Sequence, residues 1–139
     1  MKKIFLITVL LLMDAITWAQ DKTHEKYHNT DHLSFISSQV PVNKNGELIS
    51  STIEEQIQQT FKNLVETAKE AGATIENGKI KNVVKLNVYL SDLGDLNKVD
   101  QQSLNYLTGS LPARTPLGGI NYGTSGFLIS IDAVVELPK

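Results

Sequence analysis

The sequence predicts an α+β domain, with helices packed on one face of a sheet. Two periodicities carry that prediction. Ile53, Ile57, Phe61, Leu64, Val65, Ala68 and Ala71 recur at helical spacing, whereas Lys81 to Leu90 alternates as a strand with one wet face. A third observation is the order of the segments: strand, helix, strand, helix, then two more strands.

Each element has its own signals. His32 to Val40 reads as a strand that stops at Pro41, with a short strand from Thr23 to His28 ahead of it. Asn43-Lys44-Asn45-Gly46 is turn chemistry, because Asn and Gly accept positive φ. Ser51 or Thr52 caps the first helix, Glu54 or Glu55 is the reciprocal partner, and Gly72 ends it. In the alternating strand, Val84, Leu86, Val88 and Leu90 face the core, while Lys85, Asn87 and Tyr89 face away. A second helix runs from about Leu93 to Leu107 on Leu96, Val99, Leu104 and Leu107, and Gly109 closes it. Ala113 to Ile120 and Phe127 to Leu137, joined by the turn-rich residues 121 to 126, read as a hairpin.

The chain has 139 residues, 13 Lys or Arg against 15 Asp or Glu, and no cysteine. That length allows one domain. Arg114 is the one arginine among the basic residues, and a net charge of −2 leaves no basic excess to follow a phosphate backbone. Composition therefore argues against nucleic acid as a partner.

Residues 1–19 read as a secretory signal peptide. Lys2 and Lys3 start it, Ile4 to Met13 is apolar apart from Thr8, and Thr17-Trp18-Ala19 sets small residues at the −3 and −1 positions of a cut before Gln20. A buried first strand would leave the twin lysines without a role. The apolar run is also too short for a membrane span, which needs about 20 residues. The expectation is an exported protein, periplasmic or secreted after cleavage near Ala19, whose domain is residues 20–139. Without disulfides that domain rests on its core or on oligomerisation.

Four features invite a chemical reading. His24-Glu25-Lys26-Tyr27-His28 spells a zinc-peptidase string, with His32 four residues on. It has no apolar helix face and runs directly into a strand, so no metal site is expected. Ser37, Ser38 and Thr115 are possible nucleophiles, but no histidine lies outside residues 24 to 32 to activate them. Gly118-Gly119 lacks phosphate-loop spacing. Arg114 differs from these, because Pro112 and Pro116 bracket it and stiffen the backbone that carries it. A guanidinium fixed in place is a receptor for a small carboxylate, a task lysine performs less well. The competing reading is a surface or interface salt bridge.

Ser37-Ser38-Gln39-Val40-Pro41 resembles the Ser-Gly-Gln-x-Pro strand end of the reactive imine deaminase family, RidA or YjgF/YER057c/UK114. Asn45-Gly46-Glu47-Leu48 with Glu54-Glu55-Gln56 is similar to the family's Thr-Gly-Glu turn and first helix. Residues 85 to 96 resemble its Lys-Thr-Thr-Val-Phe-Leu-x-Asp-Met-x-Asp-Phe, and Pro112-Ala113-Arg114-Thr115 its Pro-Ala-Arg-Ser. The four motifs arrive in order, from about residue 24 to the end.

The resemblance implies a chorismate-mutase-like α+β subunit with a mixed sheet, assembled as a homotrimer with pockets at its interfaces. It implies hydrolysis of small 2-imino acids to 2-keto acids and ammonia without a cofactor. Arg114 would bind the substrate carboxylate, and Thr115, Pro116 and Ser38 would help to hold substrate or water. Ser130 falls where many members carry a glutamate that positions the attacking water, and serine cannot act as a carboxylate base. Asp132, roughly 7 Å further along the same strand face, resembles a second family acid. The family's Gly-Pro-Tyr-Ser-Gln segment is absent, with Lys22 to Lys26 in its place. The expected activity is imine deamination; the alternative is an exported, non-catalytic module that binds small 2-keto or 2-imino carboxylates.

Overall fold

A long stripe of apolar residues at helical spacing needs a broad apolar partner, and here that partner is one face of a five-stranded sheet. The structure, a computed structural model, describes residues 24–139. Helix α1, Ile53–Glu70, buries Ile57, Phe61, Leu64 and Ala68 completely. Thr52 stands at its N-cap in an extended conformation. Its hydroxyl donates to the Glu55 carboxylate at 3.1 Å instead of accepting from the backbone, so the expected Thr–Glu pairing is made between side chains. Gly72, at φ +95°, follows the Ala71 cap and ends the helix in the left-handed region.

The strands in chain order are β1 (Tyr27–Asn29), β2 (Leu33–Gln39), β3 (Ile75–Glu76), β4 (Lys79–Lys81), β5 (Val83–Leu90), β6 (Leu107–Thr108), β7 (Ala113–Leu117) and β8 (Ile129–Glu136). The main sheet has the order β1-β2-β8-β5-β7, and β3-β4-β6 form a small second sheet. β5 pairs antiparallel with β8 on one side and parallel with β7 on the other, so the main sheet is mixed. Ile129, Ile131, Ala133 and Val135 of β8 join Leu86, Val88 and Leu90 of β5 beneath α1. Alternation along the strands thus divides the sheet into a face covered by helices and an open face.

Four expectations need correction. The last two strands do not form a hairpin, because β5 lies between them. Their connection crosses the end of β5, where the Ile120 N–H donates to the Leu90 carbonyl and the Ser91 N–H to the Leu128 carbonyl, each at 3.0 Å. Val84 is exposed and Val83 buried, the reverse of strict alternation, because the β5–β8 register shifts between Val83 and Lys85. The second helix is shorter than its pattern suggested. A 3₁₀ turn at Leu93–Asp95, capped by the Asp92 side chain, leads into α2 at Leu96–Ser103, and Leu107 belongs to β6. Tyr106 leaves the helix to stack on Phe61 with ring centroids 5.2 Å apart. Finally, the small sheet was missed, although its β3–β4 turn rests on Asn77-Gly78, both at positive φ, a pair that favours two-residue hairpins.

Candidate functional site

Arg114 is carried by β7, which among the described residues is an edge strand with only β5 beside it. Edge position is what lets Pro116 sit in a strand, since no ladder partner needs its missing N–H. Arg114 stands opposite Leu86 and Pro116 opposite Val88, on the helix side, whereas Thr115 stands opposite Asn87, on the open side. The guanidinium reaches α2 and forms an ion pair through Nη1 with Oδ1 of Asp100. Both side chains border a cleft of about 410 Å³ whose other walls include Leu86, Val99, Leu107 and Leu111. Thr115 accepts a hydrogen bond from the Lys85 ammonium on the opposite face.

Ser130 lies elsewhere. It stands opposite Tyr89 in the β8–β5 ladder, on the open face, and is 5% exposed. Its hydroxyl lies 2.9 Å from that of Tyr122, which also donates to the Tyr89 carbonyl at 2.9 Å. Tyr122 comes from the loop crossing the end of β5, and its ring meets Phe127 edge-on. Burial pushes the Tyr122 phenol above its ordinary value, and the Ser130 hydrogen bond partly offsets the rise. Sequence reasoning singled out Ser130 without Tyr122, because the pairing crosses strands and a turn.

The open face also carries Asp132, whose two oxygens accept from Asn87 Nδ2 at 2.7 Å and the Tyr89 hydroxyl at 2.8 Å. The bond to that carboxylate, with burial adding to it, raises the Tyr89 phenol above its ordinary value. Asp132 borders a shallow cavity of about 310 Å³ with Tyr27, Phe35, Ser37 and Ser38. The Ser37 hydroxyl is committed to the Lys26 carbonyl at 2.7 Å, and Ser38 is exposed beside it.

Within one chain these residues fall into separate groups. Arg114 and Ser130 are on opposite faces, and Ser38 is on β2, three strands from β7, or about 14 Å at usual strand spacing. Arg114 and Pro116 form one group on the helix side of β7; Thr115 with Lys85, Ser130 with Tyr122, and Ser38 near Asp132 form the others. The zinc-peptidase string lacks the helix it requires, since Tyr27–Asn29 is strand β1.

The family model described as Endoribonuclease L-PSP matches residues 20–137. The mitochondrial protein mmf2 of Schizosaccharomyces pombe is 33% identical over 104 residues, covering 73% of this chain and 78% of that protein. The 2-iminobutanoate/2-iminopropanoate deaminase of Mus musculus is 38% identical over 85 residues, 60% of this chain and 59% of that enzyme. Among solved structures, RidA from the Antarctic bacterium Psychrobacter sp. PAMC 21119 superposes with a TM-score of 0.71 at 23% identity, covering 84% of this chain and 90% of that one. At that identity the likeness concerns the fold.

The relatives also correct the expectation of export after cleavage near Ala19. Both mmf2 and mmf1 of S. pombe, the latter 30% identical over 72% of this chain, are mitochondrial by name. A basic start followed by an apolar run does not by itself specify secretion, and residues 1–19, where the signal peptide was expected, lie outside the described residues. Among the described residues no helix is long and apolar enough to cross a membrane. The four motifs, the mixed sheet under two helices and the match over residues 20–137 agree: the chain belongs to the endoribonuclease L-PSP family, the family of RidA and YjgF.

Proposed function

We propose that this protein hydrolyses small 2-imino acids to 2-keto acids and ammonia, with the substrate carboxylate held by Arg114 at a site completed between copies of a homotrimer. The observation that carries the reading is the guanidinium of the one arginine, fixed on a stiff edge strand at the mouth of a cleft of about 410 Å³. Kinship with the mouse deaminase supplies the reaction class.

The reaction asks little of the protein. The carbon of a protonated imine is electrophilic, and water adds to it to give a carbinolamine. A proton then moves from oxygen to nitrogen, the C–N bond breaks with its electron pair leaving on nitrogen as ammonia, and the proton left on the carbonyl oxygen passes to that ammonia. R–C(=NH₂⁺)–COO⁻ and H₂O thus become R–CO–COO⁻ and NH₄⁺. A bidentate hold on the carboxylate and a positioned water supply proximity, which accounts for much of the rate such a step requires. In this reading the backbone around Thr115 and Pro116 steadies substrate or water, and Ser38 borders the pocket. Ser130 and Tyr122 offer hydroxyls that orient water without taking its proton, so turnover is slower than at a site with a carboxylate base.

The separation of Arg114, Ser130 and Ser38 within one chain supports a site shared between copies, and the free edge of β7 and the exposed Phe35 and Leu117 offer surface for assembly. The test is ammonia release from freshly generated 2-iminopropionate and 2-iminobutyrate. The wild-type chain should accelerate it, and Arg114→Ala should lose at least about tenfold, as expected for removal of a charged hydrogen-bonding anchor. Equal rates for the two proteins, or no rate above buffer for either, reject the reading.

A further inference from the structure

The Arg114 site is not a simple cation. Asp100 of α2 occupies one edge of the guanidinium through Oδ1, and both side chains remain partly exposed at the mouth of the cleft. Among the described residues no other side chain bonds to the Asp100 carboxylate, so it keeps acceptor capacity beyond the ion pair. The cleft therefore presents a positive and a negative group side by side above apolar walls of Leu86, Val99, Leu107 and Leu111. A ligand bearing only a carboxylate gains from Arg114 and is repelled by Asp100. A ligand with a positively charged nitrogen beside its carboxylate satisfies both groups, and its aliphatic side chain matches the walls.

We propose that Asp100 is the nitrogen-recognising residue of the Arg114 site and makes it selective for ligands that carry a cationic nitrogen next to a carboxylate. This rests on Arg114 being the carboxylate anchor of the proposed deaminase. The protonated 2-imino acid fits the description and the 2-keto acid product does not. Hydrolysis removes the nitrogen that Asp100 holds, so the same carboxylate that favours substrate entry favours product departure.

The experiment is calorimetric titration of the full chain with 2-aminobutyrate, a stable carrier of the carboxylate and cationic nitrogen, and with 2-ketobutyrate. Wild type should bind the amino acid about tenfold more tightly than the keto acid, the usual scale for one charge-assisted hydrogen bond. Asp100→Asn should weaken 2-aminobutyrate and strengthen 2-ketobutyrate, which abolishes or reverses the preference. Asp100→Ser provides the same comparison if the amide disturbs α2, with circular dichroism identifying the folded variant. An affinity ratio unchanged by loss of Asp100 overturns the inference. Arg114→Ala separates the two claims: loss of both ligands retains the anchor whatever Asp100 does, whereas affinities unchanged in Arg114→Ala reject the anchor itself.

Discussion

Gln56 is fully buried in the first turn of α1, and every polar atom of its side chain has a task. Nε2 donates to the Ser50 carbonyl at 2.9 Å and the Gly126 carbonyl at 3.0 Å, while Oε1 accepts from the Leu128 N–H at 2.7 Å. One side chain thereby ties α1 to the loop that carries Tyr122. Gln56→Ala removes the partner of the Ser50 and Gly126 carbonyls and of the Leu128 N–H and should cost about 1–3 kcal/mol, read as a lower urea midpoint with an unchanged slope. At this scale the sequence was partly legible. Arg114 announced itself through the prolines around it, because they fix the backbone locally. Asp100 and Tyr122 did not, since an acid on a polar helix face and a tyrosine in a turn look like solvated residues until the fold brings Arg114 and Ser130 to them.

Elements were legible where their pattern is local. The period along α1 and most of the alternation along β5 could be read directly. The bulge at Val84 and the placement of β5 between β7 and β8 could not, because they depend on pairing across distant segments. One close approach secures that placement: a Cβ on Gly118, just past β7, would stand 2.6 Å from the Leu93 Cβ and 3.2 Å from the Leu93 backbone nitrogen. Gly118→Ala should force β7 away from the 3₁₀ turn and destabilise by about 1–3 kcal/mol in urea unfolding. The Tyr89–Asp132 bond between β5 and β8 adds a pH dependence. Because the folded chain holds the Tyr89 proton more tightly than the unfolded chain, this contribution is present below about pH 10 and is lost as pH rises beyond it. The urea midpoint should fall as pH rises above about 10, and less steeply in Tyr89→Phe.

At the scale of the whole molecule, the unpaired edge of β7 and the uncovered sheet face call for a partner surface. Light scattering should give three times the 15.3 kDa chain mass, less any N-terminal segment removed. Leu117 is 45% exposed and stands opposite Tyr89 on the open face, so Leu117→Lys should give a folded monomer with little deaminase activity. A monomeric wild type with full activity would remove the shared site. The α+β class was readable from the order of elements, but the destination of the chain was not. Two lysines and an apolar run are compatible with several targeting systems, whereas the relatives' names include mitochondrial ones.

The position of β8 has a further consequence for how the chain comes into being. It is the last strand in the sequence, yet it holds β2 on one side and β5 on the other. During synthesis β2, α1 and β5 emerge before the strand that joins them exists, so the main sheet cannot be completed until β8 has left the ribosome. Until then the apolar side of α1 has only part of its cover, and the incomplete chain exposes apolar surface of the kind that drives aggregation.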